Sequence, residues 1–190
     1  MMPSTITLPM NMRPKIGKEC HISEHAVVVG NVTIGDNVFI APNATIRCDE
    51  PGSEIFIGSD CNIQDNVVIH SLSKCKVVIG SGTSIGHGSI IHGPCEIGER
   101  CFVGFGSVVF KSVLGDDAMV MHRVLVEDAT VPGRKLVPSG AVVKGNESHM
   151  FAEVCSEMKS FSNKVRNINL KLAKIYNQKN GSSGKEIDDY

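Results

Sequence analysis

Aliphatic residues recur every six positions through most of the chain. Ile16, Ile22, Val28, Ile34, Ile40 and Ile46 fall on one unbroken count. Ile57, Ile63 and Ile69 resume it, and Ile79, Ile85, Ile91, Ile97, Val103 and Val109 carry it on. Leu114, Val120 and Val126 finish it one residue out of phase, which makes eighteen steps. A helix repeats at 3.6 and a lone amphipathic strand at 2, so neither explains the period. A short strand and a turn, repeated, does. Three such sides close a triangular coil, in which each aliphatic stacks on its equivalent roughly 4.8 Å along the axis. The expectation is an all-β solenoid, a parallel β-helix of about six coils and on the order of 30 Å long.

The position after the aliphatic is often Gly, as at Gly17, Gly35, Gly58, Gly80, Gly86, Gly98, Gly104 and Gly115. Gly suits the backbone angles of a tight corner. Four residues after the aliphatic comes a small or branched residue such as Ala26, Ala44, Thr83 or Ser107. Cys20, Cys61, Cys95 and Cys101 share that slot and read as small buried hydrophobes. From about Asn146 the period changes. Phe151, Val154, Met158, Phe161, Val165, Ile168, Leu172 and Ile175 recur every three or four residues, one apolar stripe on a long C-terminal helix. Asn146 or Ser148 can cap its start and Gly181 its end. The pattern divides the chain into a β-helix domain at 1–145, a helix at 146–180 and a flexible tail at 181–190, the helix lying along the solenoid or at a subunit contact.

Composition narrows the class. Apolar residues make up 42% of the 190 positions, aromatics only 5%, with no Trp, so the core is aliphatic. The formal net charge of −1 gives no basic face for nucleic acid or an anionic membrane. No apolar stretch approaches a membrane span, and Met1 to Met12 lacks the basic and apolar regions of a signal peptide. Seven cysteines, odd in number and without a CxxC pair, point to free thiols and a reducing, cytoplasmic setting.

Two irregularities mark the candidate site. Eleven residues separate Ile46 from Ile57 and ten separate Ile69 from Ile79, as if short loops were inserted at one corner of successive coils. The slot after the aliphatic there holds Arg47, His70 and His92, which the register stacks in a column. Two imidazoles on neighbouring coils can share one metal, and they also suit a hydrogen-bonded ladder. His87 lies two residues after Ile85, on the preceding side, and does not turn back to the same ion. A second solenoid related by threefold symmetry could present its own His87, which implies a shared site and an oligomer. Arg47, Asp49, Glu50, Gln64 and Asp65 lie nearby in register; His21, His25, His122 and His149 lack such company and read as surface or packing residues.

The runs Ile46-Arg47-Cys48-Asp49-Glu50, Asn62-Ile63-Gln64-Asp65-Asn66-Val67-Val68-Ile69-His70 and Ile85-Gly86-His87-Gly88-Ser89-Ile90-Ile91-His92-Gly93-Pro94, with Phe110-Lys111-Ser112, resemble the γ-class carbonic anhydrases from about Pro14 to Val143. The resemblance implies a left-handed β-helix homotrimer whose zinc, iron or cobalt ion sits between subunits, on His70 and His92 of one chain and His87 of the next. It implies an Arg47–Asp65 intersubunit ion pair, Asp49 at the interface, Gln64 beside the reacting water and Glu50 as a catalytic carboxylate, the reaction being hydration of CO2 to bicarbonate. This chain departs from the family in two places. Its insert Ser71-Leu72-Ser73-Lys74-Cys75-Lys76 carries no proton-shuttle carboxylate, and Phe151 stands where those proteins have an asparagine, so slow turnover is expected. A hexapeptide acyltransferase, with His as general base and no metal, and a non-catalytic scaffold or assembly protein are the alternatives.

Overall fold

The structure, a computed structural model, describes residues 12–145 and 151–181. The six-residue count puts one short strand on each side of a triangular coil, and about seven coils stack into a parallel β-solenoid. The first sheet runs from Lys15–Ile16 to Thr130–Val131, the second from His21–Ile22 to Lys135–Val137, and the third from Val27–Gly30 to Val142–Lys144. Ile40, Ile63, Ile85, Val103, Val120 and Val137 pair rung upon rung along the second sheet, all fully buried. Burying one such side chain contributes roughly 1.5–3 kcal/mol, and the ladder repeats that gain on every side of every coil.

The solenoid has one coil more than expected. Val131, Val137 and Val143 complete it, each fully buried. The step from Val126 to Val131 is five residues, like that from Val109 to Leu114, and this second slip takes the count out of phase. Both slips and both inserts lie at one corner, between the third and first sheets, so the other two corners hold their count throughout.

The corner glycines have a different cause from the one expected. Gly35, Gly58, Gly80, Gly98 and Gly115 do not take up left-handed backbone. They are small because coils touch there: a Cβ on Gly58 would lie 2.6 Å from the Ser81 backbone nitrogen. The left-handed residue of that corner comes two positions later, at Asn37, Asp60, Gly82, Arg100, Asp117 and Arg134.

Helix α1 spans Ser156–Gly181 and runs back along the second sheet. It starts ten residues later than the apolar period suggests, because Ala152–Glu153 first adds an antiparallel strand to Lys135–Val137. The cap candidates Asn146 and Ser148, His149 and the tail beyond Gly181 lie outside the described residues. Phe151 is partly buried and packs against the main core as an apolar plug. The helix is also rotated from the expected stripe. Ala173 is buried, seated on Phe39 and Ala41, while Ile168 is 59% exposed. Arg166 donates to the Gly82 carbonyl at 2.8 Å and Asn177 to the Cys20 carbonyl at 3.2 Å, fixing the helix to the fourth and first coils. No helix of the described residues is long and apolar enough to cross a membrane. All seven cysteines are free, and burial pushes the Cys61 and Cys101 thiols up to about 12.

Two glycine substitutions separate these two kinds of corner. Gly140→Ala, with φ +75° and open space around it, costs about 1–2 kcal/mol. Gly58→Ala forces two coils apart and costs more, and urea unfolding of both variants checks the order.

Candidate metal centre

Along the third sheet, strand residues alternate between core and outside. Ile46, Ile69 and Ile91 face in and pair in register; Arg47, His70 and His92, one position later, therefore face out and pair in register as well. Their column ends at the corner that carries the inserts. The first insert turns at Pro51-Gly52 and the second at Ser73-Lys74, and they are tied together. Ser73 donates from its backbone nitrogen to Glu50 Oε2 at 2.6 Å and from its hydroxyl to the Pro51 carbonyl at 2.9 Å.

These loops press two carboxylates against the column. His70 Nε2 lies 3.3 Å from Glu50 Oε1 and 3.8 Å from Asp49 Oδ1. Arg47 Nη2 is 3.2 Å from the same ring nitrogen, and Arg47 Nε pairs with Asp49 Oδ1 at 3.2 Å. His70 Nδ1 approaches His92 Nε2 at 3.1 Å, with the rings edge to face. His92 Nδ1 is buried and has no partner among the described residues. Burial, first, and then the charges of Arg47 and His92 hold the His70 pKa below the usual imidazole value, although Glu50 and Asp49 pull the other way.

This donor set fits a divalent ion. The lowered pKa of His70 disposes that ring to be a neutral ligand, and 3.1 Å between His70 Nδ1 and His92 Nε2 is close to the roughly 3.3 Å between two nitrogens on one tetrahedral ion. Within one chain they have no third partner: among the described residues, no group of three His, Cys, Asp or Glu could hold a metal.

The structure places His87, Gln64 and Asp65 at a different corner, between the second and third sheets. His87 is at the tip of that turn, with a half-exposed side chain, just before Gly88 at φ +67°. Asp65 stacks below it on the preceding coil, its Oδ2 2.9 Å from His87 Nδ1. Within the chain Asp65 thus meets His87, and Arg47 meets Asp49. Gln64 is buried, with Oε1 unpartnered, as are both side-chain polar atoms of Asn62. The period-six reading passed over Asn62; a polar residue in a strand position filled by Phe39, Ser84 and Phe102 on other coils is the signal for it. Of the other histidines, His21 packs between Phe39 and Tyr176, His122 stacks on Phe105, and His25 is exposed beside Glu24. A hollow of about 580 Å³ lies between His21 and α1, and neither His70 nor His92 lines it.

Comparison with known proteins establishes the family. The family model "Bacterial transferase hexapeptide (six repeats)" matches residues 13–48 and 76–111. A carbonic anhydrase of Methanosarcina thermophila is 33% identical over 93% of this chain and 80% of its own length. The carboxysome assembly protein CcmM of Nostoc sp. is 36% identical over 85% of this chain, which spans only 31% of that longer protein. A solved hexapeptide transferase family protein from Anaplasma phagocytophilum superposes with a TM-score of 0.76 at 27% identity, over 87% of this chain and 94% of its own. The chain belongs to the γ-class carbonic anhydrase family of hexapeptide-repeat proteins.

Stability should respond to pH through His70. Its pKa is lowered on folding, so the unfolded chain binds the proton more readily. The ring's contribution is complete above the unfolded value of about 6.5 and is lost as pH falls through the lower folded value. In metal-free protein, melting temperature should drop between pH 8 and pH 5 more steeply in the native chain than in His70→Gln.

Proposed function

We propose that the chain is a metal-dependent carbonic anhydrase that hydrates CO2 reversibly to bicarbonate, with its sites between the subunits of a homotrimer. The observation that carries this reading is the His70–His92 pair: two outward imidazoles 3.1 Å apart on paired strands, backed by Glu50 and Asp49. The sequence relatives named carbonic anhydrase support it. The outer face of the third sheet carries the exposed apolar residues Val68 and Ile90 on the strands of His70 and His92, and Val142 three coils further on, which suits a face covered by a second copy.

His70 and His92 would hold the ion from one side and His87 of the partner subunit from the other. A divalent ion, Zn2+ or Fe2+ or Co2+, supplies the Lewis acidity that makes a water molecule ionise near pH 7. The protein supplies the rest. Low basicity keeps His70 unprotonated and available at neutral pH. Gln64 Oε1, buried and unpartnered, can accept a hydrogen bond from a reacting water and orient it. Glu50 is held through Oε2 by the Ser73 nitrogen, which leaves Oε1, beside His70, to take up and pass on the proton. Arg47, half exposed, offers a positive charge to the anionic product. With no carboxylate on the second insert, proton removal is expected to limit the rate.

A scaffold reading is favoured by a different observation: relatives at 36% and 41% identity are named carboxysome assembly proteins. The same experiment decides between them. Protein loaded with zinc, and separately with iron without oxygen, should hydrate CO2 faster than metal-free protein, and His92→Ala should lose about a hundredfold or more of that rate. Intact trimers with no metal-dependent rate would leave the scaffold; acetyl-CoA binding to metal-free protein would point to acyl transfer.

A further inference from the structure

The structure holds His87 by a carboxylate of its own chain. Asp65 Oδ2 lies 2.9 Å from His87 Nδ1. An ionised carboxylate only accepts, so this contact favours a proton on His87 Nδ1 over a lone pair there. The Asp65 backbone fixes the same turn, since Gly88 donates to the Asp65 carbonyl at 2.9 Å. Phe105, one coil further on, supports the His87 ring with centroids 5.1 Å apart.

We propose that Asp65 is a positioning residue for His87: it keeps the proton on Nδ1, so that the outer nitrogen, Nε2, offers a lone pair to a metal held by the partner subunit. This deepens the metal reading above and rests on it for its purpose. A carboxylate behind a ligating imidazole sets its tautomer and ring orientation and raises its basicity.

The next histidine at this corner provides an internal reference. His122 stacks on the other side of Phe105, with centroids 4.5 Å apart, and its Nδ1 accepts the Phe105 backbone N–H at 3.0 Å. His122 must therefore carry its proton on Nε2 when neutral. Two histidines on one aromatic ring are thus set to opposite tautomers by their different neighbours.

Nitrogen-15 spectra of histidine-labelled, metal-free full chain at pH 8, followed by a zinc titration, test the proposal. The native protein should show His87 protonated on Nδ1 and His122 on Nε2. Asp65→Ala should move the His87 proton to Nε2, leave His122 unchanged and weaken zinc binding about 10–100-fold. Asp65→Asn, whose amide oxygen still accepts, should keep the Nδ1 proton and most of the affinity. His87 protonated on Nε2 in the native chain, or unmoved in Asp65→Ala, overturns the proposal. So does Asp65→Ala that only dissociates the oligomer, which would assign Asp65 to an intersubunit pair alone. Native tautomers as stated, with no zinc bound, would uphold the Asp65–His87 coupling while rejecting the metal reading.

Discussion

The hydrogen-bonded register between coils governs this molecule. Parallel pairing places each residue directly over its equivalent on the coil below, so a sequence position becomes a place in a column. Ile over Ile makes the core and Gly over Gly lets the corners touch. Arg47, His70 and His92 become neighbours although 22 or more residues separate them along the chain. A slip of one residue would turn each of these side chains to the opposite face. The fold tolerates changes of length only where they leave that register intact, and all of them fall at one corner. There the two inserts bind each other and carry Glu50 to the ring column.

The same register keeps the third imidazole away. His87 pairs, through its strand, with the coil that carries Asp65 and not with the end of the third sheet. On the proposed reading, one chain presents two half-sites, one at each edge of the third sheet's outer face. Each half-site has its own carboxylate support, Glu50 and Asp49 behind His70, Asp65 behind His87. Between them runs an apolar face that a second solenoid would cover.

Much of this was legible in the sequence because a six-residue period maps directly onto columns. The stacking of His70 on His92 and the separation of His87 follow from counting. The count failed where the chain changed step: the seventh coil was hidden by the five-residue advance to Val131. The helix start was misplaced because Phe151 and Val154 keep an apolar spacing while serving as plug and strand flank. The corner glycines were found but explained wrongly, since close approach of coils leaves no trace in sequence that differs from a demand for positive φ. Pairings across coils between unlike residues, such as Asp65 with His87 or Ser73 with Glu50, depend on side-chain reach and could not be counted out.

Subunit complementation tests the shared site most directly. His87→Ala removes one half-site and His92→Ala the other, so trimers of either variant alone should bind no zinc at the interface. Unfolding the two together and refolding them as a 1:1 mixture joins intact halves at about a quarter of the interfaces if subunits mix at random. The account predicts recovery of about that fraction of the native zinc content. A mixture as empty as its two components, in trimers shown to have exchanged subunits, would contradict it.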